Sequence, residues 1–127
     1  MKKVEGTATF GAFLREKRLA ANINLRRLAE ILEIAPAYLS DMENDHRYPP
    51  EKEMIYKMAD ALGLDKADTN KMFDLSAGNK KNPVSPDIAD YIMEQDKSRI
   101  ALRLARDTNA GEKEWEKIIK ILEEAKK

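Results

Sequence analysis

The chain has 127 residues, 43% hydrophobic and 36% charged, which fits one compact globular domain, or one with an extension. Its 23 basic and 23 acidic residues cancel, so there is no bulk attraction to nucleic acid, although phosphate contacts need only a local cluster of lysine and arginine. The lack of cysteine excludes disulfides and thiolate metal sites, and one histidine cannot alone build a common metal cluster.

The two lysines of MKKVEGTATF precede no apolar stretch, and no apolar run approaches bilayer length. Neither a secretory leader nor a membrane span is expected, and the cytoplasm is the expected location. Helical periodicity begins at GAFLREKRLAAN (11–22), with Phe10, Leu14 and the stem of Lys17 on one side. A second helix is predicted at 25–32 (LRRLAEIL), where Asn24 suits the cap because its side chain can accept an orphan backbone N–H. The third is PAYLSDME (36–43); Pro36 can begin it because its missing N–H would be unpaired there anyway. The fourth is EKEMIYKMADAL (51–62), with Ile55, Met58, Ala59 and Leu62 inward, Pro50 suited to its first turn and Gly63 to its end. The fifth is ADTNKMFDLSA (67–77), anchored by Met72, Phe73 and Leu75.

GNKKNPVSP (78–86) breaks the pattern and reads as a linker or ordered loop. Three short amphipathic helices are predicted beyond it, at 86–95, 98–108 and 112–127. Strand-like alternation is absent over any useful length, so the expected class is all-α.

The segments at 25–32 and 36–43 are short helices with a brief joint, and such helices persist only when packed on neighbours. Leu28, Ala29 and Leu32 supply that contact on one and Leu39 and Met42 on the other, with Ile34 plugging the joint. This fits the DNA-reading helix pair, whose second member enters the major groove. Its outward residues are then Pro36, Ala37, Tyr38, Ser40 and Asp41. An ordinary αα-corner in a helical bundle fits the spacing too.

The order Phe10-Gly11, Leu14-Arg15, Arg18, Leu28-Ala29, Leu32, Ile34, Tyr38-Leu39-Ser40, Glu43-Asn44, Arg47, Pro50 and Ala59-x-Ala61-Leu62-Gly63 resembles the lambda-repressor/Cro-like helix–turn–helix family, also called the XRE family. YLSDMENDHRYPP is similar to that family's YLSxIExGxRxP pattern. The resemblance implies a five-helix DNA-binding domain at 8–78 and leaves 79–127 as a helical C-terminal extension. It implies a bacterial or phage transcription regulator, nucleoid-associated, that binds double-stranded operator DNA, commonly as a dimer. Arg18 and Glu43 match a structural pair linking the first helix to the end of the recognition helix; a solvent-facing ion pair is the alternative. Asn24, Asn44 and Arg47 match positions that meet the DNA backbone, with Arg26, Arg27 and His46 adding to the same rim. Tyr38 has a partly buried core role as its alternative, and Asp41 the holding of a neighbouring arginine.

Four residues depart from the family's pattern. Leu25 replaces a frequent glutamine, Glu33 the turn glycine, Ala35 the Ser/Thr cap, and Asp45 a second glycine. A left-handed Glu33 costs about 1 kcal/mol relative to glycine, and the missing cap a similar amount. The acidic groups at 33 and 45 are also expected to weaken the field near DNA.

Tyr91, Leu104, Trp115, Ile118, Ile119 and Leu122 are too apolar for a free tail. They either build a homodimer interface or complete the monomer's core. The expected function is sequence-specific reading of the major groove by helix 36–43, as a repressor that needs no cofactor. The alternative is a regulatory protein–protein interaction module on a degenerate helix–turn–helix fold, with a regulatory protein as partner. An enzyme is not expected, because no nucleophile–base pair, metal set or phosphate-cradling glycine loop is present.

Overall fold

The computed structural model describes residues 9–78 and 83–126. The residues before Thr9 and the middle of the expected linker, 79–82, lie outside the described residues, as does the boundary expected at 78/79. The described residues form eight helices and no strand: α1 (Phe10–Ala20), α2 (Leu25–Leu32), α3 (Pro36–Glu43), α4 (Lys52–Leu62), α5 (Lys66–Ser76), α6 (Pro86–Glu94), α7 (Asp96–Asp107) and α8 (Glu112–Ala125). The chain divides into two compact units, Met1–Ala89 and Asp90–Lys127.

Local chemistry sets most of the helix ends. Thr9 opens α1 by accepting the Ala12 N–H at 3.1 Å, so the helix starts one residue before the expected position. Asn24 opens α2 by accepting the Arg27 N–H at 2.7 Å. Pro36 sits at the first turn of α3, as its fixed φ favours. Pro50 does not enter α4: Glu51 is the N-cap, and the proline lies outside the helix. α2 and α4 end in the same way. The N–H of Ile34 bonds back to Ala29 and that of Leu64 to Ala59, each at 3.0 Å, across a left-handed residue. That residue is Gly63 in α4 but Glu33 in α2.

The core of the first unit is built from α1–α5. Leu14, Leu28, Leu39, Ile55, Met58 and Met72 are among its fully enclosed side chains. Ile34 and Leu64, just past the two left-handed turns, pack onto it from the side. Tyr56 meets Phe73 edge-on at 4.9 Å, and Lys17 of α1 pairs with Asp68 of α5 at 3.0 Å. Gly11 marks the tightest contact. A Cβ there would lie 2.3 Å from the Met42 carbonyl oxygen and 2.6 Å from that of Glu43. The start of α1 therefore abuts the end of α3 with no room for a side chain. After α5, Ser85 bonds to Asp74 and its carbonyl accepts the first N–H groups of α6.

In the second unit Arg99 closes the end of α6, donating to the carbonyls of Ile92 and Met93 while pairing with Asp96. Glu114 begins α8 by accepting the Gly111 N–H at 2.7 Å. None of the residues of α6, α7 and α8 is buried. Leu104 and Leu122 are 61% and 62% exposed, and Tyr91, Trp115, Ile118 and Ile119 are exposed too.

Candidate nucleic-acid interface

α3 turns Leu39 and Met42 into the core and leaves Pro36 and Ala37 exposed. Tyr38, Ser40 and Asp41 are half-buried, and Tyr38 rests part of its ring on the core. The outward positions named from the sequence thus share the accessible side of one helix. Ala35 provides no side-chain cap.

The end of α3 is fixed by two polar contacts to α1. Arg18 donates from Nε to Glu43 Oε2 at 2.6 Å and from Nη2 to Oε1 at 3.0 Å. Its Nη1 reaches the Ile23 carbonyl at 3.0 Å, tying in the loop that leads to α2. Only 9% and 4% of the two side chains are exposed, so the pair is an interior one. The bond to Glu43 raises the Arg18 pKa above its ordinary value, with burial opposing. The second contact comes from Asp45, held at φ 60°. Its carboxylate accepts from Thr9 Oγ1 at 2.6 Å and from the Gly11 N–H at 3.0 Å. α1 has no acidic residue in its own first turn, and Asp45 supplies the negative charge that a helix N-terminus favours. The charge of Asp45 thus faces the positive end of α1.

The loop after α3 folds back on the same surface. Asn44 Nδ2 donates to the Ser40 carbonyl at 3.0 Å, and the His46 N–H donates to the Asp41 carbonyl at 2.8 Å. Arg47 places its guanidinium carbon 4.8 Å from the centroid of the Tyr38 ring and Nε 3.5 Å from Asp41 Oδ2. Asp41 does hold a neighbouring arginine, and Tyr38 both packs inward and supports that arginine. Beside α3, Asn24, Leu25, Arg26, Arg27, Glu30 and Pro36 line an open groove. Asn24, Arg26 and Arg27 are exposed there, and Arg27 pairs with Glu30 at 2.6 Å. Leu25, where a glutamine was absent, supplies only apolar surface to the groove.

Sequence reading missed one contact and one exposed aromatic residue. The contact of Thr9 and Gly11 with Asp45 joins residues too far apart for local periodicity to pair; the clue was an acid at a left-handed turn position. Tyr48 is a strongly exposed aromatic beside Arg47, and its position ahead of two prolines carried no helical signal.

A helix–turn–helix family model, HTH_3, matches residues 14–68, which contain α2, the left-handed joint and α3. Two crystal structures of the clp gene regulator ClgR from Corynebacterium glutamicum are similar to the chain. One is 33% identical over 54% of this chain and 83% of that one, with a TM-score of 0.45. The other is 28% identical over 72% and 84%, with a TM-score of 0.46. A SinR protein/SinI protein complex is 17% identical over 93% and 98%, with a TM-score of 0.47. No curated protein matches the chain. The described residues are all-α, and the class that residues 14–68 define is the helix–turn–helix domain. Residues 14–68 thus carry a helix–turn–helix domain of the HTH_3 type.

Proposed function

We propose that the protein is a sequence-specific double-stranded DNA-binding repressor that sets α3 into the major groove. The observation that carries this reading is the state of α3. Its end is anchored to α1 through Glu43 and by the Asp45 contact just beyond, while the outward side at 36–41 stays accessible. A rigid, accessible helix is what base-edge recognition needs. Asn24, Arg26, Arg27, Asn44 and His46 form the polar rim, with α2 offering its N-terminal N–H groups to a phosphate. Occupancy of an operator represses without any cofactor or catalytic step. Such a role places the protein in the cytoplasm, and no helix among the described residues is long and apolar enough to cross a membrane.

Operators present two half-sites, so two copies are needed. Tyr91, Leu104, Trp115, Ile118, Ile119 and Leu122 of the second unit offer the apolar surface for a homodimer, Trp115 being the natural anchor. The helical extension is in this reading the dimerisation module. A regulatory protein-interaction module is the second reading; it is favoured by Glu33 at the joint and Ala35 at the cap, which spend no effort on phosphate contact.

Selection of genomic fragments by the purified full chain, followed by fluorescence anisotropy at several salt concentrations, tests the proposal. Saturable, sequence-dependent binding that weakens with salt supports it. Absence of saturable binding at low salt transfers the weight to the protein-interaction reading.

A further inference from the structure

Arg47 was expected on the DNA backbone, in the loop beyond the recognition helix. Its side chain lies against α3. The guanidinium carbon is 4.8 Å from the Tyr38 ring centroid, and Nε is 3.5 Å from Asp41 Oδ2. Both partners belong to the outward set of α3. The group is accessible, with 54% of the Arg47 side chain and 45% of the Asp41 side chain exposed.

Three physical consequences follow. A guanidinium over an aromatic ring loses much of its rotational freedom before any ligand arrives. A carboxylate on the Nε side leaves the Nη groups as the outward donors. That carboxylate also offsets the positive charge and repels phosphate, which diminishes the attraction on which a backbone contact depends while leaving the directional donors intact. Planar paired donors at the side of a groove helix match the O6 and N7 acceptors of guanine.

Resting on the proposed DNA reading, we infer that Arg47 is a specificity-determining residue that reads a guanine in the major groove, with Tyr38 as its platform and Asp41 as its positioning residue. A bidentate contact of this kind discriminates against the wrong base by roughly 5- to 150-fold. Recognition at that base pair thus comes from the loop after α3 rather than from the helix alone.

The test is selection from random duplexes with the full chain, its Arg47→Ala and Asp41→Asn variants, and Arg26→Ala as a rim control. The wild type is expected to enrich a motif with one required guanine in each half-site. Arg47→Ala should lose preference at that position alone, Asp41→Asn should loosen it in part, and Arg26→Ala should leave the motif unchanged. Replacing that guanine by 7-deazaguanine should weaken wild-type binding and leave Arg47→Ala indifferent. Thermal melting of each variant checks that the fold is kept. Arg47→Ala weakening motif and scrambled duplexes by one common factor, with a shallower salt dependence, would mean a phosphate contact and overturn the inference alone. A wild type that enriches no sequence would overturn the DNA reading together with it.

Discussion

Glu33 and Gly63 occupy the same left-handed position after α2 and α4, with φ near 60° and 65°. Only glycine does so without steric cost, so Glu33→Gly should raise stability by about 1 kcal/mol; chemical denaturation measures it, and an unchanged or lower midpoint would refute it. Gly11 presents the opposite case. Its missing Cβ would overlap two backbone carbonyl oxygens, which cannot swing aside. Gly11→Ala should cost about 1–3 kcal/mol through overpacking, detectable in the same experiment. The Arg18–Glu43 pair is enclosed, so Glu43→Ala strands a buried guanidinium and should cost about 3–5 kcal/mol. The double change Arg18→Met with Glu43→Leu should cost much less, because neither charge remains. Equal losses in the single and double variants would show that the pair acts through packing alone. Residue-level features were legible in the sequence where their cause is local: the Asn24 cap, the left-handed demand on Glu33 and the proline start of α3. The Asp45 contacts with Thr9 and Gly11 were not, since they exist only after α1 and α3 have docked.

α2 and α3 begin and end where periodicity and capping residues place them, because each is a single amphipathic stretch between clear punctuation. Elsewhere the ends shift with the cap. Thr9 draws α1 forward, Gln95 starts α7 before the expected residue, and Glu51 leaves Pro50 outside α4. Propensity could not choose between neighbouring cap positions, whereas the packed ends could. At this scale α3 has one weak point: it starts without a side-chain cap, while Leu39 and Met42 pack its middle into the core and Glu43 ties its far end to α1. Ala35→Ser should accept an N–H at that start and add about 0.5–1 kcal/mol. It should also slow hydrogen exchange at the Ala37 amide. Faster exchange there would contradict the assignment of Ala35 as the weak point of the helix.

For the whole molecule, the sequence revealed the amphipathic stripes of α6–α8 but not what covers them, because an apolar period is the same whether the covering surface belongs to the same chain or another copy. The described residues of these helices leave that surface accessible. The homodimer reading predicts that sedimentation of the wild type gives two copies. Ile118→Arg combined with Trp115→Arg should give one, with half-site affinity kept and two-half-site affinity reduced; a wild type that is monomeric at all concentrations would remove the dimer from the account. The central claim, that the outward side of α3 meets the duplex, is tested most directly by mapping amide chemical-shift changes across the labelled full chain as an enriched duplex is added. The account predicts changes concentrated at residues 24–27 and 37–47, saturating together and receding as salt is raised. Saturable binding that leaves 37–41 undisturbed would contradict it.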